Sequence, residues 1–134
     1  MRVDKPWGWY EDLFRTPEFV LKRIHIAPGG TLSLQKHAKR DEVWYVESGQ
    51  LTTQMTPESF HGHLVDGVPT TSYTAKQVFI EVKNVGGVVG VPVGTVHRMS
   101  NDTATPVTVI ELQIGKPICE ENDIERLADI YGRA

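Results

Sequence analysis

Turn signals punctuate this chain at Pro28-Gly29-Gly30, Ser48-Gly49, Asp66-Gly67, Asn84 to Gly87, Pro92 to Gly94 and Asn101 to Pro106. That punctuation restricts the accessible folds more than any other feature. Between the signals lie the short runs FVLKRIHI (19–26), EVWYVE (42–47), KQVFIEV (76–82) and VTVIELQI (107–114). They are rich in β-branched and aromatic residues, which pack well on a pleated surface, and too short for core helices. Many short strands joined by glycine and proline predict an all-β barrel or sandwich. At 134 residues the chain has room for one core, so residues 1–134 are expected to form a single domain.

A net charge of -3 argues against nucleic-acid binding, whose footprint is a basic surface. It leaves room for a small anion, because a few local cations outweigh a weak overall charge. Cys119 is the single cysteine, so neither an internal disulfide nor a thiolate metal cluster is expected. No charged-then-apolar leader opens the sequence and no apolar run nears ~20 residues, so a cytoplasmic protein without membrane contact is expected.

Two segments depart from the strand pattern. In NDIERLADIYG, Ile124, Leu127, Ala128 and Tyr131 recur at helical spacing. Asn122 with Glu125 forms a capping box and Gly132 suits the C′ position, while Glu120, Glu121 and Asp123 favour the helix dipole. A short C-terminal helix laid against the barrel is the expectation. The stretch from Thr56 to Gly87 is expected to add a hairpin that buries Phe60, Leu64 and Val65.

Chemistry concentrates in SLQKHAKRDEVWYVESG (33–49). Side chains at i and i+2 share a strand face, so Ser33, Gln35 and His37 point one way. Glu42 opens the next strand and faces the same space across a turn, and His97 follows the turn in VPVGTVHRMSN (91–101). Gln35, His37, Glu42 and His97 then project into one barrel as a mixed nitrogen and oxygen set. Such a set suits zinc, manganese, iron or cobalt and disfavours copper(I) or an iron–sulfur cluster. One inward histidine is more often a hydrogen-bonded core residue, but four ligand types at matching parity favour a metal.

The spacing carries a resemblance. Gly29, Gln35-x-His37, Glu42 and Gly49 resemble the first cupin motif, with glutamine in place of the usual first histidine. Gly86, Pro92-x-Gly94-x-x-His97 and Asn101 are similar to the second. The resemblance implies a double-stranded β-helix, a small jelly-roll barrel. KPWGWYEDL (5–13), LKRIHIAPGGTLSLQKH (21–37), VIELQIG (109–115) and ENDIERLADIYGR (121–133) extend it, being similar to the type II phosphomannose isomerase family. There the cupin often follows a mannose-1-phosphate guanylyltransferase domain. These residues hold no counterpart of that domain, so nucleotide transfer is not expected of them. The segment between the two motifs is longer than usual.

The resemblance implies interconversion of mannose 6-phosphate and fructose 6-phosphate, with a divalent metal polarising oxygens while a base shuttles a proton. Glu111 is the expected base. It shares a face with Gln113, and that face is either the lumen or the solvent side. For the substrate, Arg23, Arg133 and Gln113 are the candidates. Lys22 and Arg23 alternate, so at most one of them enters the pocket, and Arg98 should point outward. His61-x-His63 imitates a metal pair but has no acidic residue at ligand spacing. His25 is expected near the site or in solvent, and Trp7, Trp9 and Trp44 in packing, with Trp44 able to line the pocket. A homodimer is a family expectation. Rival readings are an iron-dependent dioxygenase and a sugar-sensing cupin without turnover.

Overall fold

A computed structural model describes residues 1–56, 60–65, 68–73, 78–115, 124–128 and 130–131. The described residues form strands β1 (Arg2–Lys5), β2 (Gly8–Arg15), β3 (Phe19–Ile26), β4 (Leu34–Lys36), β5 (Arg40–Ser48), β6 (Leu51–Thr56), β7 (Phe60–Val65), β8 (Val68–Tyr73), β9 (Phe79–Lys83), β10 (Val88–Val91), β11 (Val96–Ser100), β12 (Val107–Gly115) and β13 (Glu125–Ala128). One sheet runs β1-β2-β3-β12-β5-β10, a second β13-β4-β11-β6-β9, and β7 pairs with β8. All named pairings are antiparallel. The all-β jelly-roll expectation holds, and β7–β8 is the hairpin expected between the motifs. The side chains of Phe60, Leu64 and Val65 lie outside the described residues.

The inward face of each long strand changes character along its length. On β12, Val107 and Val109 are buried in the hydrophobic core, and Glu111 and Gln113 continue the same face. On β5, the sequence reverses: Arg40 and Glu42 precede Trp44 and Val46. Because the two strands are antiparallel, with Gln113 opposite Glu42 and Glu111 opposite Trp44, the polar halves coincide. The barrel is therefore plugged at one end by Trp44, Val46, Leu51, Met99, Val107 and Val109 and polar at the other. Alternation puts Ile110 and Ile114 outside, and Ile114 is exposed.

The tail corrects one expectation. Glu125–Ala128 is a strand, not a helix, and pairs with β4. A lone helix of about three turns is marginal in water, whereas β4 would otherwise present an open sheet edge. Pairing satisfies both backbones, and a register irregularity between Arg126 and Ala128 absorbs the mismatch. Asn122, Gly132 and the acidic residues at 120, 121 and 123 lie outside the described residues. Tyr131 packs against the core and its hydroxyl accepts a hydrogen bond from Thr31 N at 3.2 Å.

Two motif glycines differ in what they protect. Gly29 and Gly49 have φ of 77° and 78°, in the left-handed region. A Cβ on Gly29 would meet nothing within 4 Å, but one on Gly49 would lie 2.4 Å from the Pro106 carbonyl oxygen. Gly29→Ala should cost about 1–2 kcal/mol, the left-handed penalty alone. Gly49→Ala adds a backbone clash and should cost roughly 3 kcal/mol or more. Urea unfolding of the two variants checks this, and equal losses would contradict it.

Candidate metal centre

Register assembles the centre. Gln35 on β4 lies directly opposite His97 on β11, and His37 follows β4 at the turn into β5. The ligand atoms of His37, Glu42 and His97 lie within 4.8 Å of one another, and all three residues are buried. His37 Nε2 is 3.1 Å from Glu42 Oε2, and His97 Nε2 is 3.6 Å from Glu42 Oε1. The two imidazole centroids are 4.9 Å apart. Gln35 lines the same pocket.

The tautomer of His97 follows from its neighbour. Nδ1 sits 2.9 Å from the Thr95 carbonyl oxygen, which can only accept, so Nδ1 carries the proton. Nε2 therefore turns a lone pair toward Glu42, as a metal-ligating histidine does. Burial lowers the pKa of His97 against the opposing charge of Glu42 and keeps that lone pair available. Burial alone would raise Glu42. The His37 hydrogen bond and neighbouring positive charge, that of Arg40 included, outweigh it and hold the carboxylate well below its usual range. Two imidazole nitrogens with a buried ionised carboxylate form a donor set that fits zinc, manganese, iron or cobalt.

Arg40 was not singled out by sequence reasoning. It is buried, its Nε donates to Glu42 Oε2 at 3.0 Å, and its Nη2 lies 3.2 Å from His37 Nε2. Trp44 Nε1 donates to Glu42 Oε1 at 3.1 Å. Glu42 is thus fixed by its i−2 and i+2 neighbours on the same strand face. That parity was the available signal for Arg40.

Beside these residues opens a cavity of ≈ 390 Å³, within the size range of small-molecule sites. Glu111 and Gln113 line it and are 5% and 3% exposed, so the polar face of β12 is the lumen. Gln113 Nε2 donates to Glu111 Oε1 at 2.6 Å. Burial, then the nearby charge of Glu42, pushes the Glu111 carboxyl up to about 8.

The cationic candidates sort by strand face. Arg23 does not enter the pocket. It alternates with the inward Lys22 and Ile24, and its guanidinium reaches Glu11 and Glu47, each at 3.3 Å. Lys22 is the member of the pair that lines the cavity. Arg98 points outward, as expected, and its Nη2 donates to the Ala128 carbonyl at 3.5 Å. Arg133 and the side chains of His61 and His63 lie outside the described residues. Trp7 and Trp44 serve both core and pocket wall. His25 stacks on Trp9 at 5.0 Å, and Arg2 lies over the Trp9 ring at 3.9 Å.

The family model for the mannose-6-phosphate isomerase C-terminal domain matches residues 1–129. The alginate biosynthesis protein AlgA of Pseudomonas syringae is 36% identical over 134 residues, covering 100% of this chain and 23% of that protein. The xanthan biosynthesis protein XanB of Xanthomonas campestris is 34% identical, covering 98% and 24%. A mannose-1-phosphate guanylyltransferase of Escherichia coli is 33% identical, covering 98% and 23%. The chain thus spans about a quarter of the length of these relatives. Among solved structures, the capsular polysaccharide assembling protein CapF of Staphylococcus aureus superposes with TM-score 0.72 at 19% identity, over 96% of this chain and 32% of that one. An oxalate oxidase superposes with TM-score 0.60 at 20% identity, over 82% and 46%. These two likenesses establish the fold alone.

Proposed function

The chain belongs to the mannose-6-phosphate isomerase C-terminal family, and from that premise we propose that it is a metal-dependent aldose–ketose isomerase acting on mannose 6-phosphate. The observation that carries this reading is Glu111, a buried carboxyl facing a sugar-sized cavity that is lined also by Glu42 and His97 of the His37–Glu42–His97 donor set.

Gln35, His37, Glu42 and His97 would hold the cation. A bound divalent cation supplies Lewis acidity to the oxygens of the opened sugar. Glu111 takes the proton from C2 of the open aldose and returns it to C1, while the O2 hydroxyl proton passes to O1, so that the enediol between them becomes the ketose. Burial raises the pKa of Glu111 and makes it a stronger base than an ordinary carboxylate. Gln113 orients Glu111 and is placed to meet a substrate hydroxyl. Trp7 and Trp44 wall the cavity and limit water, which protects the enediol from side reactions.

The same reading takes the protein to act in the cytoplasm, where sugar phosphates are made, and as a homodimer. Exposed Tyr45, Val88 and Ile114 on the outer face of the six-stranded sheet support the pairing of two copies. Among the described residues no helix is long and apolar enough to cross a membrane.

The test is a coupled assay on mannose 6-phosphate and glucose 6-phosphate with protein loaded with zinc, manganese, cobalt or iron(II). Turnover of mannose 6-phosphate with solvent deuterium entering C1 or C2 is expected. No turnover of either sugar with any metal overturns the isomerase assignment.

A further inference from the structure

The metal donors come from β4 and the turn after it, from β5 and from β11, while β1, β2 and β3 form another side of the cavity lining. That side holds a second kind of chemistry. Lys5, Tyr10 and Lys22 all line the cavity there. Lys22 Nζ lies 4.5 Å from the centroid of the Tyr10 ring and Lys5 Nζ lies 5.9 Å from it. Both ammonium groups lie within reach of the same ring and on the lining of the same cavity, where an anion would be attracted by both.

Two carboxylates stand near Lys22. Asp12 lies 3.8 Å from Lys22 Nζ, but it is held more closely by Arg15 at 2.6 Å. Glu111, next to Lys22 in register, has its proton affinity raised by burial and so carries less negative charge than an ordinary carboxylate. Lys22 is also only 12% exposed at its side chain, so its charge acts through a medium that screens it less than water does.

We propose that Lys5 and Lys22, gathered on Tyr10, form the subsite for the phosphomonoester of the substrate. This rests on the isomerase reading for the identity of the sugar, but the subsite itself is a statement about anion binding. In a hexose 6-phosphate the reacting carbons and the phosphate are at opposite ends. Gln35, Glu42 and His97 line the cavity from β4, β5 and β11 and Lys5, Tyr10 and Lys22 line it from β1, β2 and β3, so the two ends of the sugar have separate groups to meet. Lysine contributes point charge and Tyr10 offers a hydroxyl, which together neutralise and hydrogen-bond phosphate oxygens. Arg126 also faces the cavity, but it pairs in register with Gln35 and belongs to the metal side.

The test is calorimetric titration of the metal-loaded full chain with mannose 6-phosphate, mannose and inorganic phosphate. Wild type should bind mannose 6-phosphate well above mannose. Lys22→Met and Lys5→Met should each weaken mannose 6-phosphate binding by about tenfold, the scale of one charged hydrogen bond, and the double variant by more. Arg23→Met, outside the cavity, should bind like wild type. Unchanged metal content and melting temperature certify that each variant is folded. Phosphate-dependent binding that falls in the lysine variants supports the subsite whether or not the protein turns the sugar over, so failure of the isomerase assignment reads out separately. Equal binding of mannose and mannose 6-phosphate by wild type, or undiminished phosphate-ester binding in the double lysine variant, overturns it.

Discussion

Replacing His97 with alanine should strip the protein of its metal. His97 offers a buried lone pair whose direction is set by the Thr95 carbonyl, and no other described imidazole but His37 stands near Glu42. Changes in groups that merely support a ligand cost about 10–100-fold in affinity, so loss of the ligand itself should cost ~100-fold or more. Elemental analysis after desalting should find near-stoichiometric metal in wild type and a small fraction of it in His97→Ala and His37→Ala. A metal that binds only the native state stabilises it by about 2.7 kcal/mol at 100 times its Kd. Chelation should therefore lower the wild-type melting temperature by several degrees and leave His97→Ala unmoved. The double variant of His61 and His63 to alanine should keep full metal, because the donor set closes without them. Near-stoichiometric metal in both His37→Ala and His97→Ala would refute the centre.

The ligands were legible because spacing and parity act together. Gln35 and His37 are two residues apart on a strand, and flanking turns place Glu42 and His97 over the same space. Arg40 was hidden in KRDE, where one charged residue among four carries no sign of burial. Parity with Glu42 was the one hint, and β5 pairing, which seals Arg40, Glu42 and Trp44 on one face, turns it into burial. The choice between Lys22 and Arg23 needed the lumen side of β3, which KRIHI does not declare because polar and apolar residues do not alternate cleanly there. Nor could VIELQI say that its carboxyl faces inward, since either face of an alternating strand can be the wet one. The tail misled for a different reason. Its helical spacing is genuine, but four residues that complete the edge of β4 gain more from tertiary pairing than from local propensity.

Glu111→Gln should separate chemistry from binding more sharply than any other substitution here. Glutamine keeps the shape and an oxygen that can still accept from Gln113, so metal content should be normal and mannose 6-phosphate affinity within a few-fold of wild type. Turnover should fall by ~10²–10⁴-fold, the usual cost of removing a positioned base. In wild type, kcat/KM should climb with pH as Glu111 loses its proton, and the variant's residual rate should lack that limb. The same carboxyl leaves a signature in metal-free protein, where no turnover is needed. Its folded pKa of about 8 exceeds the ordinary value of 4.5, so between those pH values the native state holds a proton that the unfolded state has lost. Native binding of the extra proton makes stability fall as pH rises through that window, by at most ~1.4 kcal/mol per pH unit, with the full contribution present below 4.5. Glutamine cannot titrate, so urea unfolding of metal-free Glu111→Gln should gain on wild type steadily from pH 5 to pH 8. If turnover survives in the variant but this gain is seen, Glu111 is a buried acid and not the base. If neither changes, the carboxyl is neither the base nor held as described. A loss of turnover together with the gain is the result that joins its burial to its chemistry, because the same desolvation that weakens the fold at high pH makes the carboxylate basic enough to lift a proton from carbon.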